Sequence, residues 1–378
     1  MSAGEELKYK MAFSFIKGMN RLYAAEIIDR LGGAEPFFRF DTAELSSIFG
    51  TQAPQFRSEI RDAAIERAEK EIEWLDGHPL ITPVFLTEDN YPGRLFECED
   101  APLMIYVAGN PDVLRSERTV SMVGTRNATV YGEMFIKKFV SDLAEIAPGT
   151  VIISGLAYGI DIMSHCAALE NNLPTVAVVA HGLSTVYPAA HRSYVRQIID
   201  SGGAIVTEYP HDARIHRVNF LARNRIIAGL SDCVVVVESD VRGGAMATAS
   251  DGNDYNRDVF AVPGRVNDRY SSGCNRLIQQ NKACILTSAE ELAGIMKWKS
   301  ARPAEGEQRT LGIFLPPERQ KIVDYILEKE MRAENYSLTR MAVDLGMTLN
   351  SLNEITAEME FDNQIVKTPG GKLKVTIQ

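Results

Sequence analysis

The sequence lacks the residue patterns that mark most common catalytic and metal-binding sites. Its five cysteines are scattered, with neither a CxxC pair nor zinc-ligand spacing, so we expect reduced thiols that mostly pack in the interior. No GxGxxG fingerprint, GxxxxGK(S/T) phosphate loop, GxSxG nucleophile elbow or HExxH metal motif is present. ATP hydrolysis, acyl transfer, and a bound metal or cofactor therefore have no support in the sequence.

Long apolar runs and an excess of positive charge are also missing. No apolar run approaches the roughly 20 residues of a membrane-spanning helix, and residues 1–15 have no signal-peptide core or cleavage site. We therefore expect a cytoplasmic protein without membrane contact. The net charge of −10 argues against binding polyanions through overall charge, although a local basic surface remains possible.

Lysine is absent between Lys138 and Lys282, whereas arginine occurs there eleven times. The planar guanidinium binds phosphate bidentately and stacks on bases, while an ammonium acts as a hydrated point charge. The choice of arginine favours recognition of phosphate with a fixed geometry. Ion pairs with interleaved Asp and Glu are the alternative for any single arginine.

What is present is a series of short Val- and Ile-rich runs, each followed by a glycine-bearing turn and a helix-length segment. Such runs are typical of strands buried on both faces of a parallel sheet. They predict an α/β fold with an extended Rossmann-like, doubly wound, mostly parallel sheet, whose turns meet at one edge where backbone NH groups can bind anions. The runs are TVSMVGTR, TVIISGLAYG, TVAVVAHG, CVVVVESDVRGG and DVFAVPG.

The length of 378 residues predicts two or three domains around this sheet. Residues 1–80 show helical spacing with glycine stops, which indicates a helical domain of the helix-hairpin-helix or SAM-like kind. Residues 81–297 form the Rossmann-like domain, beginning with two edge strands, and the polar stretch 298–315 is a linker. Residues 316–378 predict three helices and a hairpin turning at 369–371, the outline of a winged helix.

Three stretches carry candidate binding residues. The first turn, Gly124-Thr125-Arg126, combines a glycine that lets phosphate approach with an arginine that can clamp it, and Gly243-Gly244 can form a phosphate nest. If residues 218–229 are helical, Arg217, Phe220 and Arg223 lie along one face. Cations beside an aromatic ring are suited to a nucleic-acid strand, although a lone Phe more often packs in a core.

At these residues the sequence resembles the DNA-processing protein A family, also called DprA or Smf. The resemblance covers residues 80–290 through many ordered motifs, and the terminal parts fit the accessory domains of the family. The motifs are YPGRLFECEDAPLMIYVAGN, VGTRNATVYGE, SGLAYGID, TVAVVAHGLSTVYPAAH, TEYP, NFLARNRIIAGLSD, VVVVES, TASDGNDYNRDVFAVPG and SSGCNRLIQQ.

The resemblance implies a homodimeric, non-enzymatic, cytoplasmic protein that binds single-stranded DNA, protects it, and loads RecA recombinase onto it during natural transformation. Carried over to this chain, the residues that line the DNA-binding pocket are Arg126, Arg217, Phe220, Arg223 and Arg225. The predicted DNA-binding set also includes Gly124, Thr125, Gly155, Gly243, Gly244 and Lys282.

An enzyme is the alternative hypothesis. Rossmann-type hydrolases of nucleotides or nucleoside monophosphates, the lysine-decarboxylase-like group, share such glycine turns and usually carry a PGGxGT-like turn with a catalytic Glu. The RGGAMAT segment matches that turn only in part, and Glu208 or Glu238 would be the catalytic carboxylate.

Overall fold

The computed structural model describes residues 3–298, 316–331, 336–362, 364–367 and 373–375. The chain divides into two compact units, Met1–Ala301 and Arg302–Gln378. Of the predicted linker 298–315, only Trp298 is described, and the predicted hairpin turn at 369–371 also lies outside the described residues.

The first part of the chain is helical, as predicted. Its helices are capped by residues that the sequence places at their ends: Asn20 accepts from the Tyr23 amide, and Asp41 forms a capping box with Glu44. Aromatic side chains such as Phe13 fill the space between the helices and continue into the core under the sheet. The helices are α1 (Ala3–Phe15), α2 (Arg21–Leu31), α3 (Glu35–Arg39), α4 (Thr42–Phe49) and α5 (Ser58–Asp76).

A nine-stranded sheet forms the centre of the first unit. The order β1-β2-β6-β5-β4-β3-β7-β8-β9 is parallel from β6 to β9, whereas β2 pairs antiparallel with both β1 and β6. This confirms the doubly wound, mostly parallel α/β fold with two added edge strands. The strands are β1 (Ile81–Phe85), β2 (Met104–Gly109), β3 (Thr119–Gly124), β4 (Val151–Ser154), β5 (Thr175–Val178), β6 (Ala204–Thr207), β7 (Cys233–Glu238), β8 (Asp258–Ala261) and β9 (Cys284–Ile285).

Helices cover both faces of this sheet. Alternate residues of β7 show this: Val234 and Val236 belong to one buried cluster, and Val235 and Val237 to another on the opposite face. Both faces are thereby removed from water, which explains the continuous apolar strands. The helices are α6 (Gly93–Phe96), α7 (Val130–Ile146), α8 (Ile160–Glu170), α9 (Arg192–Asp200), α10 (Arg217–Gly229), α11 (Ala245–Asp254), α12 (Ser272–Gln279) and α13 (Ala289–Ile295).

The second unit has the predicted winged-helix outline. Ile322 and Ile326 of its first helix are buried with Met341, Leu352 and Met359. The helices are α14 (Pro317–Met331), α15 (Leu338–Leu345) and α16 (Leu349–Phe361), and the strands β10 (Ile365–Lys367) and β11 (Leu373–Val375) pair antiparallel. Across the described residues of the chain, no helix combines the length and apolar character needed to span a bilayer.

Candidate nucleic-acid interface

The candidate site is a cavity of about 790 Å³ at the carboxyl ends of the parallel strands. It lies between the neighbouring strands β3 and β7. The strand that follows β3 in the chain, β4, lies on one side of this pair, and the strand that follows β7, β8, lies on the other. Ligands of open α/β sheets bind at this switch in strand order. The walls come from the loops after β3, β4, β5, β6 and β7 and from α8, α10 and α11, and include Gly124, Thr125, Arg126, Ala157, Asp161, Tyr187, Ile215, Arg217, Phe220, Arg223, Asn224, Asp240, Arg242, Gly243, Gly244 and Thr248.

The turn after β3 is held so that Arg126 extends from it. The Thr125 amide donates to the Glu238 carbonyl at 2.7 Å, and the Ile160 amide donates to the Thr125 carbonyl at 3.1 Å. A Cβ on Gly124 would lie 2.4 Å from the Ile160 side chain, so only glycine fits between α8 and β7. The Arg126 side chain is exposed, and its guanidinium lies 5.5 Å from the centre of the Phe220 ring.

The first turns of α10 bring further groups to the cavity. Arg217 is exposed, and Phe220 lies one turn further along the same face. The ring of Tyr187, which is 40% exposed, meets Phe220 edge-on at 5.7 Å. The cavity therefore combines a cation-flanked aromatic pair with open guanidinium groups, as stacking of a base beside its phosphate requires.

Beneath these groups lies a buried pair of opposite charges. Arg223 is only 4% exposed, and its Nη1 donates to the Gly155 carbonyl at 2.7 Å and to the Val178 carbonyl. Burial lowers the pKa of Arg223 to about 10, an effect that the neighbouring Asp161 partly offsets. Burial raises the pKa of Asp161, opposed by Arg223 and by the Ala157 amide. A Cβ on Gly155 would lie 2.6 Å from both side chains.

The turn after β7 completes the cavity. A Cβ on Gly243 would lie 2.3 Å from Ser239 Oγ, so this tight turn excludes larger residues. Asp240 accepts a hydrogen bond from Arg269 Nε at 2.7 Å. This bond lowers the pKa of Asp240, and the positive charge of Arg269 offsets the negative charge of the carboxylate. Arg242 is exposed beside it. Within the part of the chain that the structure describes, Arg126, Arg217 and Arg242 form no ion pair, so the rim carries uncompensated positive charge.

Comparison with known proteins decides the family. The family model described as DNA recombination-mediator protein A matches residues 82–297, which contain the whole cavity and the nine-stranded sheet except for Ile81. The chain belongs to this family. A relative, the protein Smf of Synechocystis sp., is 33% identical over 300 residues, which is 78% of this chain and 73% of that protein.

Solved structures of DNA recombination-mediator proteins A have the same fold. The X-ray structure of DNA processing protein A from Streptococcus pneumoniae matches with a TM-score of 0.64 at 29% identity, covering 78% of this chain and 98% of that one. DNA processing protein A from Helicobacter pylori, whose structure describes a single-stranded DNA binding mode, matches with a TM-score of 0.51 at 27% identity, covering 57% and 95%.

The structure brings most of the predicted site residues of this family member together. Gly155 does not line the cavity but lies next to it, since its carbonyl accepts a hydrogen bond from Arg223, which does. Arg242 and Tyr187 also line it, although the motif analysis did not select them; the lysine-free, arginine-rich composition was the signal for Arg242. The predicted residues that line the cavity are Gly124, Thr125, Arg126, Arg217, Phe220, Arg223, Gly243 and Gly244.

Two predicted residues lie elsewhere. Arg225 points away from the cavity and binds Glu208 Oε2 at 2.5 Å, with Asp100 at 3.6 Å. Lys282 precedes β9 and does not line the cavity; its carbonyl accepts from Asn253. The structure therefore does not place Arg225 in the cavity with Arg223, because residues two positions apart on a helix point about 200° apart. Lys282 follows a different helix, α12. A contact of either residue with DNA stays a prediction.

The carboxylates of the hydrolase hypothesis are bound by other groups. Both oxygens of Glu238 accept from Thr129, from its amide at 2.9 Å and its hydroxyl at 2.5 Å, at the start of α7. Glu208 is held by Arg225, and burial raises the pKa of Glu208. Neither side chain lines the cavity. All five cysteines are unpaired, and Cys98, Cys233 and Cys274 are buried.

Proposed function

We propose that the cavity binds single-stranded DNA and that the protein delivers this strand to RecA recombinase, in natural transformation or other recombination. We further propose that it acts as a cytoplasmic homodimer and without catalytic activity of its own. The observation that carries the proposal is the set of three exposed arginines without ion pairs among the described residues, Arg126, Arg217 and Arg242, around Phe220. Support also comes from the single-stranded DNA binding described for the Helicobacter pylori relative.

The aromatic ring favours an unpaired strand over a duplex. A base can stack on Phe220 or Tyr187 only if it leaves its own stack, which costs a duplex its pairing and stacking energy. The arginines bind phosphate in either case. Preference for single strands should therefore depend on the ring, and affinity on the guanidinium groups.

The test measures anisotropy of a labelled oligothymidylate and of a duplex of equal length at two salt concentrations. We expect tighter binding of the single strand and a loss of affinity as salt increases, since phosphate contacts release counterions. Arg126→Ala and Arg217→Ala should each weaken binding about tenfold, the effect of one charged hydrogen bond. They should do so for all sequences.

The matched control is Arg196→Ala, since Arg196 is exposed on α9 and does not line the cavity. Its affinity should equal that of the wild type. Equal affinity for single strand and duplex, or unchanged binding by both cavity variants, contradicts the proposal.

Delivery to RecA is tested separately. RecA ATPase activity on oligonucleotides coated with single-strand-binding protein should rise sooner when the wild-type protein is added, since RecA hydrolyses ATP when it assembles on DNA. The double variant Arg126→Ala, Arg217→Ala should give no acceleration. A wild type that binds the strand and leaves the RecA lag unchanged refutes delivery while leaving strand binding intact.

A further inference from the structure

The segment 208–216 connects β6 to α10 and leads directly into the cavity. Ile215 and Arg217 line the cavity, and His216 caps the helix that Arg217 begins. The segment has no regular secondary structure, and Ile215 is 43% exposed. The position of Arg217 therefore depends on what fixes the earlier part of this segment.

A buried carboxylate from the N-terminal helices holds that earlier part. Glu71, on α5, is 2% exposed. Its Oε1 accepts from the His211 amide at 2.8 Å, and its Oε2 lies 2.7 Å from His211 Nδ1. The Trp74 ring lies parallel to the His211 ring, with centres 4.6 Å apart, and Arg67 binds Asp212 at 2.5 Å. Three residues on one face of α5 thus hold two consecutive residues of the segment.

The loop after β5 holds the segment from another direction. Ser184 Oγ donates to the His211 carbonyl at 2.6 Å, and the Gly182 amide donates to the Ala213 carbonyl at 3.2 Å. A Cβ on Gly182 would lie 2.1 Å from the His211 carbonyl oxygen, so the backbones of the two segments are in close contact. Residues 211–213 are therefore fixed at several points, a few residues before Arg217.

Binding of a metal ion is a poorer interpretation of the same residues. Glu71, His211 and Asp212 have ligand atoms within 4.8 Å of one another, the one such group found among the described residues. Both Glu71 oxygens already contact His211, however, and the Arg67 guanidinium already binds Asp212. A buried carboxylate is costly unless it is hydrogen-bonded, and these bonds to His211 meet that requirement without a metal.

We propose that Glu71 is a positioning residue through which the N-terminal helical region sets the conformation of the segment that presents Arg217 to DNA. The inference rests on the proposed function of the cavity. A preordered segment loses less conformational entropy when the strand binds, so its anchor increases affinity without touching DNA.

The experiment compares Glu71→Ala, Glu71→Gln and His211→Ala in the full chain. Affinity for labelled oligothymidylate and amide hydrogen exchange of residues 209–217 without DNA are measured, with circular dichroism as a check on folding. We expect Glu71→Ala and His211→Ala to weaken binding about fivefold to tenfold and to speed exchange in the segment. Glu71→Gln should restore most of the affinity, because an amide can accept from the His211 amide and donate to a neutral imidazole.

The matched control is Glu66→Ala, since Glu66 is an exposed glutamate of the same helix that pairs with Lys70. It should change neither readout. In the Arg217→Ala background, Glu71→Ala should cause little further loss, because its effect passes through Arg217.

Three results overturn the inference while leaving the proposed function intact. They are wild-type affinity in Glu71→Ala, unchanged exchange of residues 209–217, and a full additive loss in the Arg217→Ala background. A wild type that binds no single-stranded DNA overturns the proposed function, and with it the role of Glu71 in binding.

Discussion

Burial divides the cavity arginines into two groups. Arg223 is inside, bound to backbone carbonyls beside Asp161, and its pKa of about 10 keeps it charged at neutral pH. Arg126, Arg217 and Arg242 are exposed at the rim. Composition alone could predict that arginine predominates here, but it could not separate the arginine that shapes the cavity floor from those open to a ligand.

His165 makes the stability of the protein depend on pH. It is fully buried, with Nδ1 2.7 Å from Thr175 Oγ1, as expected of a packed histidine. Burial lowers the pKa of His165 to about 3. His165 of the unfolded chain therefore takes up a proton near pH 6.5, whereas His165 of the folded protein stays neutral. Its contribution to the free energy of unfolding is complete above about pH 6.5 and is lost as the pH falls toward 3.

We expect His165→Gln to remove this contribution. Between pH 7 and pH 5, the free energy of unfolding should fall by about 2 kcal/mol less in the variant than in the wild type. Urea unfolding at pH 7, 6 and 5 measures the difference, and His181, which is also buried, contributes equally to both proteins. Parallel pH curves for the two proteins would show that His165 is protonated in the folded state or does not titrate in this range.

At the scale of elements, buried strands were the most predictable feature. The five glycine-ended runs all contain strands, because Val and Ile in short runs satisfy a sheet covered on both sides. Strands β6 and β9 are not among those runs: β6 ends without a glycine turn, and β9 has only two residues, both exposed. Helix phase explains why Arg225 does not line the cavity: the family motif contains both Arg223 and Arg225, but their side chains point in different directions.

The turn after β4 should be intolerant of even one methyl group. Gly155→Ala would place a Cβ 2.6 Å from Arg223 and Asp161, both buried and unable to move freely. We expect a loss of about 1–3 kcal/mol in the free energy of unfolding, as for other overpacked sites. Urea denaturation measures it.

Gly244→Ala is the control for that change. Nothing lies within 4 Å of a Cβ there, and the backbone is helical with φ −62°. Its stability should match or slightly exceed that of the wild type, because alanine restricts the unfolded chain. Equal stability of the two variants would mean that the turn at Gly155 relaxes to admit the methyl group.

At the scale of the molecule, local charge and net charge differ in sign. The chain carries −10 overall, yet the cavity has four arginines against two aspartates, Asp161 and Asp240. Residues from 123 to 248 meet there, and only the strand order places them together. The sequence could therefore predict the edge of the sheet at which a site forms, while Tyr187 and Arg242 in its walls required the tertiary structure.

Every cation in the cavity wall is a guanidinium, and the chain offers no primary amine from residue 139 to 281. Amine-directed chemistry, whether an acyltransferase that neutralises ammonium groups or a fluorescent succinimidyl ester, finds no target in those walls. Modification of lysine side chains therefore leaves the charge of the cavity walls unchanged.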